Sequence, residues 1–150
     1  MQVLTETVRP AVVRHKDQHT AYVLLRTLTG LDFFGHGFAR IFTGTHLAGF
    51  AHGMVESMAK SPLPPALTLA SGYAIPPVEL LIGTLLLVGL TTRFALTLAY
   101  LLMFVLMFGV TMKQDWATAG SQLLYGLVVA ILYFTRAEYD LTWPRLFRRL

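Results

Sequence analysis

The sequence predicts an all-α integral membrane protein in which four helices cross the bilayer as a bundle. Two observations carry this prediction: the apolar content of the chain and the uneven placement of its charges. Hydrophobic residues make up 55% of the 150 residues and charged residues only 13%, and the mean hydropathy is +0.58. A soluble domain of this length does not need such an apolar average, so the composition favours a membrane protein.

The charged residues leave long apolar stretches between them. Residues 61–92 contain a single charged residue, Glu79, whereas residues 94–112 and 117–135 contain none. Each stretch can supply the roughly 20 apolar residues that a membrane-spanning helix needs. A further crossing is predicted near the N-terminus, and the whole chain is expected to form one domain. The predicted helices cover about 21–43, 66–90, 94–112 and 117–135.

The basic residues indicate how the chain is oriented. They concentrate in the predicted tails, 1–20 and 136–150, and at Arg93 in the short second connection, whereas Lys60 and Lys113 fall on the opposite side. Basic connections stay on the cytoplasmic side of a membrane. We therefore expect both termini in the cytoplasm and a multi-pass location in the inner (cytoplasmic) membrane.

The connection between the first two crossings has its own helical pattern. Apolar residues recur at helical spacing along residues 46–60, which predicts an interfacial helix lying on the membrane surface. Pro76 and Pro77 lie just before Glu79 in the second crossing. Because proline inside a helix removes a backbone hydrogen bond, a kink or an unwound turn is expected there.

The first crossing carries an ionisable stripe. Asp32, His36 and Arg40 recur at intervals of four, and together with Arg26 they fall within an arc of roughly 120° on a helix. A charge at the bilayer centre costs at least ~2.5–3.5 kcal/mol, so such side chains are expected to face the bundle interior. Glu79 lies at a similar depth, and the set predicts a functional polar pocket.

The outer half of the bundle is expected to be electropositive, with His36, Arg40, Lys113, Trp116 and Gln122 near one another. Structural explanations compete with this prediction. Arginines near helix ends often act as snorkelling anchors, an intramembrane Asp is often half of an ion pair, and Trp116 suits the aromatic belt at the membrane interface. The number of ionisable groups in four short helices favours a functional cluster.

Three segments resemble the DoxX/DoxD family of small four-helix membrane proteins: LLRTLTGLDFFGHGFARI, PPVELLIGTLLLVGLTTRFAL and QDWATAGSQLLYGL. The resemblance covers about residues 22–140. The family includes the membrane subunit of thiosulfate:quinone oxidoreductase. The resemblance therefore implies an oxidoreductase subunit that oxidises thiosulfate, or a related small sulfur oxyanion, and passes electrons to membrane quinone.

The resemblance also implies roles for individual residues. Quinone is the expected electron acceptor, and no bound metal, haem or flavin is expected. The family motifs fall on Arg26, His36, Arg40, Glu79, Arg93, Trp116 and Gln122, whereas Asp32 and Lys113 are added from the ionisable stripe and the predicted outer pocket. The predicted catalytic residues are His36, Glu79 and Asp32, and the predicted substrate-binding residues are Arg26, Arg40, Arg93, Lys113, Trp116 and Gln122.

Two other function classes stay open at this point. The chain can be a non-catalytic membrane partner or assembly subunit of a redox complex, or a carrier for a small anion. A haem subunit is disfavoured because His36 is the only histidine inside a predicted crossing. The chain has no cysteine, which excludes thiol chemistry of its own. Lipid is an expected partner and nucleic acid is not, while a partner subunit and a homo-oligomer both remain open.

Overall fold

The computed structural model describes residues 11–140, with side chains from His15 onward. This part of the chain is all-helical and contains no strand, which confirms the predicted class. Its five helices are α1 Ala11–Phe42, α2 His46–Ser57, α3 Pro65–Val88, α4 Thr92–Met112 and α5 Trp116–Tyr139.

Three of the described helices, α3, α4 and α5, are long and apolar enough to cross a membrane. They contain 24, 21 and 24 residues. At ~1.5 Å per residue each exceeds the ~30 Å hydrocarbon layer. Large apolar side chains cover their outer surfaces, among them Phe104, 68% exposed, and Phe134, 88% exposed. Such surfaces suit lipid rather than water, and the protein is a multi-pass membrane protein.

The helix bounds differ from the predicted ones mainly at the two ends. Helix α1 begins at Ala11, so the second half of the predicted tail 1–20 is helical, and α5 continues four residues beyond residue 135. The predicted bounds were the ends of the apolar stretches, whereas a helix can continue into polar sequence beyond the bilayer without any change in its backbone. The remaining tail residues, 1–10 and 141–150, lie outside the described part.

Helix α3 is continuous through Pro76 and Pro77. Of the predicted kink or unwound turn, the unwound turn is therefore wrong, and the kink stays a prediction. Each proline lacks the N–H that would bond to the carbonyl four residues earlier, yet the backbone on either side stays helical. Pro76 is fully buried, and its carbonyl faces α1 at Gly37. Helix α1 thus packs tightly against α3 at the point where α3 passes through the two prolines.

Glycines bring α1 and α3 into backbone contact. A Cβ atom added to Gly37 would lie 2.7 Å from the carbonyl oxygen of Pro76, and one added to Gly83 would lie 2.5 Å from Cα of Phe34. No side chain fits at either position, so the two helices approach as closely as small residues allow. This approach brings the ionisable stripe of α1 beside α3.

Candidate functional site

A cavity of about 180 Å³ lies between α1, α3, α4 and α5 and is partly open to the surface. We call it the polar chamber. The stripe on α1 supplies three ionisable side chains to its lining, α3 supplies a carboxylate, and α5 supplies amide and hydroxyl groups. Its principal polar residues are Asp32, His36, Arg40, Glu79, Gln122 and Tyr125.

The strongest contact in the polar chamber joins α1 to α3. Nη1 of Arg40 donates to Oε1 of Glu79 at 2.6 Å and to Oε2 at 2.5 Å. The Glu79 side chain is only 4% exposed, against 30% for Arg40. The Arg40 guanidinium also lies over the ring of Phe50 from α2, with 4.7 Å between Cζ and the ring centroid. A single guanidinium therefore connects three helices.

The other two members of the stripe are less constrained. Nε2 of His36 lies 3.9 Å from Oδ1 of Asp32, one helical turn earlier. That separation is too long for a hydrogen bond. The two side chains are 48% and 37% exposed, so both sit toward the open side of the polar chamber. The Asp32 carboxylate is available to a ligand that enters from there.

Helix α5 contributes an unused acceptor. The Oε1 atom of Gln122 is buried and makes no hydrogen bond. The start of this helix is fixed by Asp115, whose Oδ1 accepts from the backbone N–H of Thr118 at 3.1 Å and whose Oδ2 accepts from the Thr118 hydroxyl at 2.8 Å. These two hydrogen bonds, and then the nearby Lys113 charge, lower the pKa of Asp115. The cap sets the register in which α5 presents Gln122.

The balance of charges in the polar chamber is negative. Its lining residues include two carboxylates, Asp32 and Glu79, and one guanidinium, Arg40, which leaves one negative charge when His36 is neutral. This differs from the electropositive pocket expected from the sequence. Lys113, the expected second cation, is an exposed residue at the end of α4 and does not line the chamber.

The predicted site residues therefore divide into two sets. The structure gathers Asp32, His36, Arg40, Glu79 and Gln122 in the polar chamber. Trp116, 68% exposed, and Lys113 stand outside it. The two remaining arginines, Arg26 and Arg93, belong to the opposite end of the bundle.

At that opposite end Arg26 is one half of an ion pair. Its Nη1 donates to Oδ1 of Asp140 at 3.2 Å, and the two side chains are only 12% and 5% exposed. The left-handed turn at Gly89, with φ of 75°, passes so close that a Cβ there would lie 2.6 Å from Nη1 of Arg26. Arg93 interacts with Tyr133 of α5. These arginines hold helices together and do not face the polar chamber.

The predicted site set lacked three polar residues of α5 that line the chamber, Thr118, Ser121 and Tyr125, and it lacked Asp140 at the opposite end of the bundle. Tyr125 lies one turn beyond Gln122, and this spacing is visible in the sequence. Asp140 falls in the segment predicted as a tail, so its pairing with Arg26 had no local signal. Arg26 and Asp140 are 114 positions apart in the chain.

The family is decided by a sequence comparison. The model of the family described as methylamine utilisation protein MauE matches residues 18–137, which covers α2 to α4 completely, nearly all of α5 and most of α1. The chain belongs to the MauE family. No curated protein and no solved structure gives a significant match.

The MauE match overturns the resemblance to the DoxX/DoxD family. The motifs behind that resemblance have general structural uses in this fold. Gly37 and Gly83 allow α1 and α3 to touch, and Glu79 neutralises Arg40. Small residues at close helix contacts and partners for buried charges are general features of membrane bundles, so they do not identify a family by themselves.

Proposed function

We propose that this MauE-family chain is a membrane-embedded, non-catalytic partner of a redox enzyme in methylamine utilisation. The observation that carries the proposal is the Arg40–Glu79 pair at the centre of the predicted site. The guanidinium that a sulfur oxyanion would need is already bound to a carboxylate and stacked on Phe50. The family match supplies the methylamine context.

We further propose that α1 is a fourth crossing, that α2 lies on the outer surface of the inner membrane, and that both termini are cytoplasmic. The support is the continuous contact of α1 with α3. A Cβ on Gly30 would lie 3.0 Å from Cβ of Leu86, near the end of α3, while Gly37 meets Leu80 and Pro76 further up. A helix packed along this length of a spanning helix shares its depth.

The topology can be tested by labelling, because the chain has no native cysteine to remove. Single variants Lys16→Cys, Lys60→Cys, Leu90→Cys, Lys113→Cys and Glu138→Cys are treated on intact cells with a maleimide that does not cross membranes. We expect labelling at positions 60 and 113 and none at 16, 90 or 138 until the membrane is opened. Labelling at both 16 and 60 would show that α1 does not cross, labelling at 16, 90 and 138 alone would reverse the orientation, and labelling at 60 without 113 would remove a crossing.

The oxidation of thiosulfate with transfer of electrons to quinone remains a prediction, and the charge of the polar chamber does not favour it. A thiosulfate dianion would meet the net negative charge described above, which raises the cost of its entry. The direct assay offers thiosulfate and a soluble quinone to the purified chain. We expect no turnover, and quinone reduction at a catalytic rate would make the chain an enzyme.

The role in methylamine utilisation is tested in a host that carries this chain and grows on methylamine. Deletion of the chain is expected to abolish growth on methylamine and methylamine oxidation in extracts, but to leave growth on ammonium unchanged. Full-length protein restores both. Arg40→Ala is expected not to restore them, whereas Gly35→Ala, at a position with open space around it, is expected to do so. Unimpaired growth of the deletion strain on methylamine would refute the proposal.

A further inference from the structure

The polar chamber has more hydrogen-bond acceptors than its own donors use. Arg40 is taken up by Glu79, whereas the Asp32 carboxylate has only a distant histidine at 3.9 Å. On the facing helix, Oε1 of Gln122 is buried without any hydrogen bond. A buried acceptor without a hydrogen bond is unfavourable, so a small rotation of the side chain that lets a ligand donate to it is favoured.

The size and the apolar part of the lining restrict what can enter. A volume of about 180 Å³ corresponds to about six water molecules at ~30 Å³ each. Phe33, Met103 and Leu106 complete the walls, and Phe33 is only 4% exposed. Aromatic side chains near an organic ammonium ion stabilise it through the ring quadrupole. The chamber therefore combines negative charge and free acceptors with a small apolar surface.

We propose that the polar chamber binds a small primary ammonium ion with a short alkyl group, of the methylammonium class. The positive charge balances Asp32, the N–H groups donate to Asp32 and, after rotation of the Gln122 side chain toward the chamber, to its Oε1, and the alkyl group contacts the apolar wall. The choice of an alkylamine rests on the proposed function, whereas the sign of the ligand's charge rests on the chamber alone.

Binding is measured on the full-length chain in nanodiscs of zwitterionic lipid, with radiolabelled methylammonium at neutral pH. We expect saturable binding that thiosulfate does not displace. Asp32→Asn is expected to weaken binding at least tenfold, because it removes the unneutralised charge. Gln122→Leu is expected to weaken it several-fold. Glu56→Gln, which alters an exposed carboxylate of α2 outside the chamber, is the matched control and is expected to bind like the unaltered chain.

Thermal unfolding of each variant shows whether it is folded. Asp32 is 37% exposed, so its amide variant is expected to keep the midpoint of the unaltered protein. The proposal is wrong if methylammonium fails to saturate, if thiosulfate binds more tightly than methylammonium, or if folded Asp32→Asn binds with undiminished affinity.

The outcome is independent of the growth experiment. Failure of binding together with loss of methylamine growth on deletion would overturn the ammonium site and leave the proposed function standing. Binding to the isolated chain together with normal growth of the deletion strain would overturn the proposed function and leave the ammonium site standing.

Discussion

Arg40 and Glu79 join the last turn of α1 to the middle of α3 through two hydrogen bonds from a single nitrogen, at 2.6 and 2.5 Å. The carboxylate is almost completely buried and the guanidinium is not, so the arginine reaches inward to the acid. This pair holds the polar chamber in shape, and its two members are not equivalent when substituted.

Removal of the arginine is therefore expected to be costly. Arg40→Ala leaves the Glu79 carboxylate buried without a partner, and breaking such a pair lowers the free energy of unfolding by about 3–5 kcal/mol. The partial exposure of Arg40 places the expected loss near 3 kcal/mol at the lower end of that range. Unfolding of the purified protein in mixed micelles with increasing denaturing detergent measures the loss. The double variant Arg40→Met, Glu79→Leu is expected to regain most of it, and a double variant as unstable as the single one would contradict this account.

The contact of α1 with α3 predicts a sharp difference between two glycines. Gly83→Ala drives a methyl group into the backbone of Phe34, and overpacking of this kind costs about 1–3 kcal/mol. Gly35 has open space around it, so Gly35→Ala is expected to be neutral or to stabilise α1 by up to about 1 kcal/mol through helix propensity. The same detergent titration compares them. Equal effects of the two substitutions would show that the helices do not touch at Gly83.

The ion pair at the far end of the bundle gives a further stability prediction. Asp140→Ala leaves Arg26 poorly exposed and without its carboxylate, and we expect a loss of about 3 kcal/mol or more. Glu138→Ala is a suitable control, because Glu138 is an exposed acid two residues earlier, in the last turn of α5. Chemical unfolding monitored by tryptophan fluorescence measures both variants. A loss in the control as large as that in Asp140→Ala would remove the special role of Asp140.

The cap of α5 predicts a pH dependence at the acid end. Hydrogen bonds from Thr118 hold the pKa of Asp115 below its ordinary value of ~3.9. A carboxyl group with a depressed pKa contributes stability that is fully present above the ordinary value and is lost as the pH falls through the folded-state value. The unfolding midpoint of the unaltered protein is thus expected to decrease as the pH is lowered below 4.

Asp115→Asn isolates this effect, because asparagine keeps an acceptor for the helix N-terminus but does not titrate. We expect its unfolding midpoint to vary less between pH 5 and pH 2 than that of the unaltered protein. Identical profiles for the two proteins would indicate that Asp115 does not contribute to the acid sensitivity.

Helical periodicity was sufficient to predict part of the site. Asp32, His36 and Arg40 share a face because four residues advance a helix by little more than one turn. The predicted depths of Glu79 and Gln122 in the bilayer placed these two residues near the same stripe. The partner of Arg26 was not predictable in this way. Asp140 follows the last turn of α5, where nothing in the local pattern marks it as buried.

Chemical interpretation failed for a different reason. The sequence shows how many positive residues there are, but it does not show which of them are paired with a carboxylate. Whether Arg40 offers its charge to a ligand depends on a Glu79 contact that spans 39 positions. The glycine and glutamate motifs behind the family resemblance reflect packing needs that several small membrane families share, and packing needs do not identify a substrate.

Two ion pairs that join α1 to its neighbours act together. Arg26 is bound to the residue after α5, and Arg40 is bound to the centre of α3, so α1 is held at two separated points by two different neighbours. A helix held in this way cannot rotate about its long axis. Because a shift of one position turns every side chain by about 100°, these distant contacts determine whether Asp32 faces the polar chamber or the outer surface of the bundle.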